Sequence, residues 1–118
     1  MATTFNDREH AFEAKFALDE ERKFRALARR DKLFARWAAA RLGLAGGAWD
    51  GFVHDMLAVQ GFPKHDTALL RFVTERFSAA GIHDSGAETA LARFGEDAAD
   101  QVHQGNTTPV DLTAPAAR

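Results

Sequence analysis

The stretch NDREHAFEAKFALDEERKFRALARRDKLFARWAAARL, residues 6–42, contains no Gly and no Pro and is rich in Ala, Glu, Lys, Arg and Leu. Such residues give up little side-chain freedom in a helix, so the composition predicts one uninterrupted helix over the whole stretch. Asn6, with Glu9 three residues on, resembles a capping box. Gly43 and then Gly46–Gly47 supply the stop. Acids gather early and bases late, the order that the helix macrodipole favours. Asp19–Lys23 and Glu21–Arg25 are i,i+4 pairs with the acid first, the better orientation.

Working outward, the rest of the chain reads as shorter helices. Trp49, Phe52, Val53, Met56 and Leu57 recur at helical spacing within 48–60, and Gly61 ends that segment. Phe62–His65 reads as a turn. Asp66 is then the expected N-cap of a third helix, with Leu69, Leu70, Val73, Phe77 and Ala80 on one side and Gly81 as its stop. Ser85 and Glu88 repeat the capping-box pattern. Ala87, Leu91, Phe94, Ala98 and Val102 mark the inward face of a fourth helix, weakened at Gly95. From Gly105 the chain is rich in Thr, Pro and Ala without periodicity, which predicts a disordered tail over 105–118. No segment alternates with period 2. The expected fold is all-α: a four-helix bundle over 20–104 with a long, partly mobile N-terminal helix. The partner helices need roughly 13–20 residues each, whereas the first can run for about 37. Its first half, residues 1–19, is therefore expected to stand off the bundle.

On a helical projection, Phe24, Leu27, Ala28, Phe34, Ala35, Ala38 and Leu42 share one broad face of the first helix, the expected core stripe, with Trp37 at its edge. Asp31 falls within that stripe and needs a partner, which Arg30 or a base on another helix can supply. Arg22, Arg25, Arg29, Lys32 and Arg36 form a basic stripe. It can follow phosphates or meet an acidic partner, or it can be a solvated face balanced by the acidic second half of the chain. Residues 1–21 carry two bases and six acids, and residues 22–41 eight bases and one acid. Overall the formal charge is only −2, whereas readers of nucleic acid usually form a net basic domain.

Phe5, Phe12 and Phe16 fall within about 40° of one another on the same projection. Arg8, Lys15 and Asp19 flank one side of the line, and Glu9, Glu13 and Glu20 the other. A narrow aromatic ridge with charged shoulders suits a groove on another protein. The competing arrangement folds this segment back to pad the end of the bundle. His10 sits in the same segment, where it could make binding pH-sensitive or simply face solvent.

The chemistry of an enzyme is missing. There is no phosphate-binding glycine loop, zinc-binding HExxH pair or GxSxG elbow. The chain has no cysteine, and its five histidines are scattered without ligand spacing. No catalytic residue, metal or cofactor is expected. The first residues have acids and no apolar run, unlike a secretory signal, and no stretch has the length of a membrane span. A cytoplasmic, non-enzymatic protein without direct membrane insertion is the expectation.

Residues 3–46 resemble the N-terminal half of the ATPase inhibitor subunit zeta of alphaproteobacterial F-type ATP synthases. The matching positions are Thr3 to Phe5, Asp7 to Glu9, Ala11 to Ala17 and Asp19 to Glu21. The pattern resumes at Phe24, Ala26, Ala28 to Arg30, Lys32, Leu33, Trp37 to Ala39 and Leu42 to Leu44. From Ala48 on, the similarity is one of helical layout. The resemblance implies a four-helix bundle with a mobile inhibitory N-terminus that enters the catalytic head, lodges between the alpha and beta subunits, reaches the gamma stalk and blocks rotation in the hydrolytic direction. It implies peripheral association with the inner membrane through the synthase, and a chain that is monomeric when free. By position, the inhibitory segment is about Ala2 to Asp19, with Phe5, Phe12 and Phe16 as anchors and Arg8, Glu9, Glu13 and Lys15 as the polar flank. The rival readings are a small nucleic-acid-binding helical protein that uses the basic stripe and a generic helical adaptor.

Overall fold

The computed structural model describes residues 5–59, 65–83 and 86–116, with side chains from Asp19 onward. It has four helices, α1 (Phe5–Arg41), α2 (Gly46–Leu57), α3 (His65–Ala79) and α4 (Ala87–His103). There is no strand among the described residues. α1 and α4 share the most extensive pairing, α2 packs on α1, and α3 closes against α4 and α2.

The boundaries follow backbone chemistry more than the side-chain capping patterns. Asn6 lies inside α1, which already begins at Phe5, so it is not the cap. Gly43 adopts φ 70°, and the Leu44 N–H donates to the Ala39 carbonyl at 3.1 Å, closing α1 with the turn a left-handed residue permits. Gly81 ends α3 in the same way, at φ 81°, with the Ile82 N–H on the Phe77 carbonyl at 2.8 Å. α2 starts two residues before the expected Ala48 and finishes at Leu57. α3 starts at His65, which moves Asp66 from the expected cap into the first turn, where its carboxylate takes Arg30 instead. α4 follows Gly86 with no side-chain cap, and the expected cap Ser85 lies outside the described residues.

The core is built on the C-terminal half of α1. Phe34, Met56, Leu69, Val73 and Phe77 are its largest fully buried side chains. Trp37 stacks on Phe34 at 5.6 Å between centroids and meets Phe77 and Phe94 edge-on, bringing α1, α3 and α4 together. Phe34, Ala35 and Ala38 occupy the core as the stripe predicts, and Leu42 packs against it. Leu33 and Ala39, outside that stripe, are buried as well, because helices cover α1 from more than one side at this end. The upper half of the stripe is a correction. Phe24 is 73% exposed and Leu27 44% exposed, and Ala28 is also exposed. They have helical apolar spacing but no helix beside them wide enough to cover them.

The C-terminal segment also departs from expectation. Residues 105–116 form no helix or strand, yet they are laid along the body as a strap. The Trp49 indole N–H donates to the Leu112 carbonyl at 3.0 Å, and the Gly46 N–H donates to the Pro115 carbonyl at 3.0 Å. Leu112 and Ala114 pack against the core. Asn106 and Asp111 each accept from a backbone N–H two residues on, at Thr108 and Thr113, so the strap organises its own bends. Lack of periodicity rules out a helix but not a strap held at its carbonyls.

Candidate functional site

α1 supplies both candidate surfaces. Its N-terminal half carries Phe5, Arg8, Glu9, Phe12, Glu13, Lys15 and Phe16 within one helix, while their side chains, like that of His10, lie outside the described residues. Where side chains are described, α1 leaves the body gradually. Residues 19–25 are all exposed, and the first buried residue met along the helix is Arg30. The length from Phe5 to Arg29 is about 37 Å at the helical rise.

The basic stripe is present but unevenly used. Arg22 lies 4.0 Å from Asp19, and Lys23 3.9 Å from Glu20. The expected Glu21–Arg25 pair forms, but the expected Asp19–Lys23 pair gives way to these i,i+3 pairs, since both spacings put residues side by side on a helix. All three pairs are solvated and add little to stability. Farther along, Arg29 donates to the Gln101 side chain and to the Thr108 carbonyl, and Arg36 to the Asp111 carbonyl at 3.3 Å. Lys32 is half-buried. The stripe thus anchors the strap, a use that a charge pattern alone does not reveal.

Arg30 is the residue that sequence reasoning missed as a centre. It is buried, 7% exposed, and reaches Asp31 at 2.9 Å and Asp66 at 2.8 Å. His65 Nε2 lies 2.8 Å from Asp31 Oδ2. Asp31 therefore finds the partner it needed, and the cluster ties α1 to the start of α3. Burial pulls the guanidinium pKa down, but the hydrogen bonds that Arg30 donates to Asp66 and Asp31, with the charges of both carboxylates, outweigh it and raise the net value. The Arg30 hydrogen bond holds the Asp66 carboxyl below its ordinary range against a smaller opposing effect of burial. Gly95 on α4 faces this cluster, with a position for Cβ 3.5 Å from Arg30 Cδ. The signal available in the sequence was Arg30 next to a carboxylate on an apolar face.

The sequence model of the ATPase inhibitor subunit zeta family matches residues 1–101. The chain belongs to that family. The match takes in the whole of α1, α2 and α3 and nearly all of α4, and so extends past the N-terminal half that carries the residue-by-residue resemblance. The strap lies beyond the zeta family match. No significant match was found among curated proteins or among solved structures. As a zeta-family chain it is a member of a family of inhibitor subunits. No helix among the described residues is long and apolar enough to cross a membrane.

Proposed function

We propose that this chain inhibits ATP hydrolysis by the F-type ATP synthase, with residues 1–19 as the inhibitory segment and the remainder, read as a four-helix bundle, as the body that carries it. Membership of the inhibitor family over residues 1–101 is the observation that carries this reading. The partners are the alpha, beta and gamma subunits of the catalytic head. The segment lodges between alpha and beta near the stalk and blocks rotation in the hydrolytic direction, and the protein is held at the inner membrane through the synthase alone. It acts as a wedge and performs no chemistry.

The physics of the segment supports this. A peptide that orders on binding loses conformational entropy, which anchor burial must exceed. Each Phe fully buried contributes roughly 1.5–3 kcal/mol, so Phe5, Phe12 and Phe16 together can offset the ordering of a few helical turns. Arg8, Glu9, Glu13 and Lys15 on the shoulders set register and exclude wrong partners. Residues 19–25, which follow the segment, are all exposed, and this supports a segment specialised for a partner.

The deciding experiment measures ATP hydrolysis by purified synthase with the full chain and with a chain lacking Ala2–Asp19. The full chain should inhibit and the truncated one should not, while its circular dichroism stays helical. Undiminished inhibition by the truncation excludes the wedge. The basic stripe does not favour nucleic acid as a partner, since Arg29 and Arg36 hold the strap.

A further inference from the structure

A groove of about 440 Å³ opens where α1, the end of α4 and the start of the strap meet. Phe24, Ala28 and Val102 supply apolar lining, and Arg25, Arg29 and Lys32 are its cations. No carboxylate stands among its described lining residues. Phe24 is 73% exposed, the most exposed of the large apolar side chains described, so most of its ring is available to a partner. The charge is incompletely neutralised. Both acceptors on Arg29, the Gln101 amide oxygen and the Thr108 carbonyl, are neutral. Arg25 pairs with Glu21, a solvated neighbour on its own helix. An exposed ring among underpaired cations is complementary to an apolar side chain flanked by carboxylates. A single ring and a formal charge of −2 disfavour a nucleic-acid strand, whose successive bases stack on several rings in a basic domain.

The position of the groove along α1 places that partner. Phe24 lies five residues past Asp19, about 8 Å of helical rise, and the cations continue to Lys32, about 12 Å farther. On the helical projection, the α1 residues of the groove centre roughly 160° from the line of Phe5, Phe12 and Phe16. One helix thus offers two faces in succession, turned to opposite sides. When the leading face enters a cleft, the groove is left at the mouth and is turned to the facing wall. Val102 and the strap complete the groove, and both lie beyond the residues that the family model matches. The groove is therefore a feature of this chain that the family match does not carry.

We infer that the groove is a second docking surface, which grips an acidic, apolar-bearing segment at the mouth of the synthase cleft that residues 1–19 enter. The partner's segment sets an apolar side chain against Phe24 and carboxylates against Arg25, Arg29 and Lys32. That the partner is the synthase rests on the proposed inhibitory role, whereas the acidic and apolar character of its segment follows from the groove alone. The two faces then govern different quantities. Residues 1–19 determine the extent of inhibition, and the groove determines the affinity with which the chain is held.

Two measurements with the full-length chain and purified synthase test this. In hydrolysis assays, Phe24→Asp should raise the half-inhibitory concentration at least about tenfold, as expected when one buried Phe is lost, with inhibition at saturation unchanged. Arg25→Glu should raise it about two- to fivefold, and the difference should shrink at 1 M salt, where the screening length is about 3 Å. Both positions are exposed, so the fold survives, and circular dichroism verifies this. In the second measurement, Phe24 is replaced by photoreactive benzoylphenylalanine. It should crosslink to an alpha- or beta-subunit segment with Asp or Glu on both sides of an apolar residue, located by mass spectrometry. A half-inhibitory concentration unmoved by Phe24→Asp, a crosslink confined to a segment without acids, or no crosslink in an inhibited complex overturns the proposal. Tighter, Phe24-dependent binding of a labelled single-stranded oligonucleotide also overturns it. A chain that crosslinks at position 24 but does not inhibit refutes the inhibitory role alone, and one that inhibits without Phe24 refutes the docking surface alone.

Discussion

Replacing Arg30 with Met tests the centre of the body. The side chain is 8% exposed, while its partners differ: the Asp31 side chain is 16% exposed and that of Asp66 62%. The contact with Asp66 is largely solvated and worth about 0.2–1 kcal/mol. The contact with Asp31 is more costly to lose, because a mostly buried carboxylate keeps only His65; a charged hydrogen bond of this kind is worth about 1.5–3 kcal/mol. Arg30→Met should therefore destabilise by about 2–4 kcal/mol, less than the loss of a fully buried pair. At roughly 3–5 °C per kcal/mol for a domain of this size, Tm should fall by about 10 °C. Thermal melts at neutral pH give the total, and double-mutant cycles with Asp31→Asn and Asp66→Asn apportion it, with the larger coupling to Asp31. The pH dependence has a definite sign. Arg30 depresses the folded-state pKa of Asp66 below its unfolded value of about 3.9. Its contribution is present above that value and is lost as pH falls through the folded-state pKa. The gap between parent and variant should accordingly narrow in strong acid. A Tm within about 2 °C of the parent, or equal coupling to the two carboxylates, refutes the reasoning.

Other consequences concern the ends of the molecule and one helix position. Ala at Phe5, Phe12 and Phe16 together should abolish inhibition of ATP hydrolysis without changing Tm, while neutralising Arg25 and Arg29 should matter less to inhibition; an inhibition assay beside a melt checks both. Removing residues 105–118 should cost about 1–3 kcal/mol, from the Trp49 hydrogen bond and the packing of Leu112 and Ala114, and red-shift tryptophan emission; urea titration followed by fluorescence measures it. Gly95→Ala should stabilise by about 0.5–1 kcal/mol, because α4 gains a better helix former and the added methyl meets Arg30 Cδ at an ordinary 3.5 Å. A destabilised Gly95→Ala in urea would mean that Arg30 cannot accommodate it.

Much of the helical plan is legible in the residues because its causes are local. Uninterrupted helix formers specify α1, and Gly43 and Gly81 end α1 and α3 because they can take positive φ. The inward residues Phe34, Ala38, Leu69, Val73, Phe77 and Leu91 follow from spacing. Capping patterns were less dependable: Asn6 and Asp66 have the side chains of caps, yet lie within helices whose starts are set elsewhere. On the site, the aromatic line of Phe5, Phe12 and Phe16 is a property of sequence, and family membership shows that the chain belongs to the inhibitor subunits; their role as anchors is the proposal that the truncation tests.

Coverage is a matter of three dimensions. Phe24 and Leu27 have the spacing of core residues and stay exposed, since burial depends on which neighbour reaches them and not on their own period. The strap has no period at all, yet it binds through backbone carbonyls to Arg29, Arg36 and Trp49, groups every residue type can offer. Arg30 and Asp66 are thirty-six positions apart and meet only once α3 is placed. Where helices form is written largely in the order of the residues, because it depends on neighbours along the chain. Which faces are closed is set by the packed molecule alone, because closure is made by segments distant in sequence.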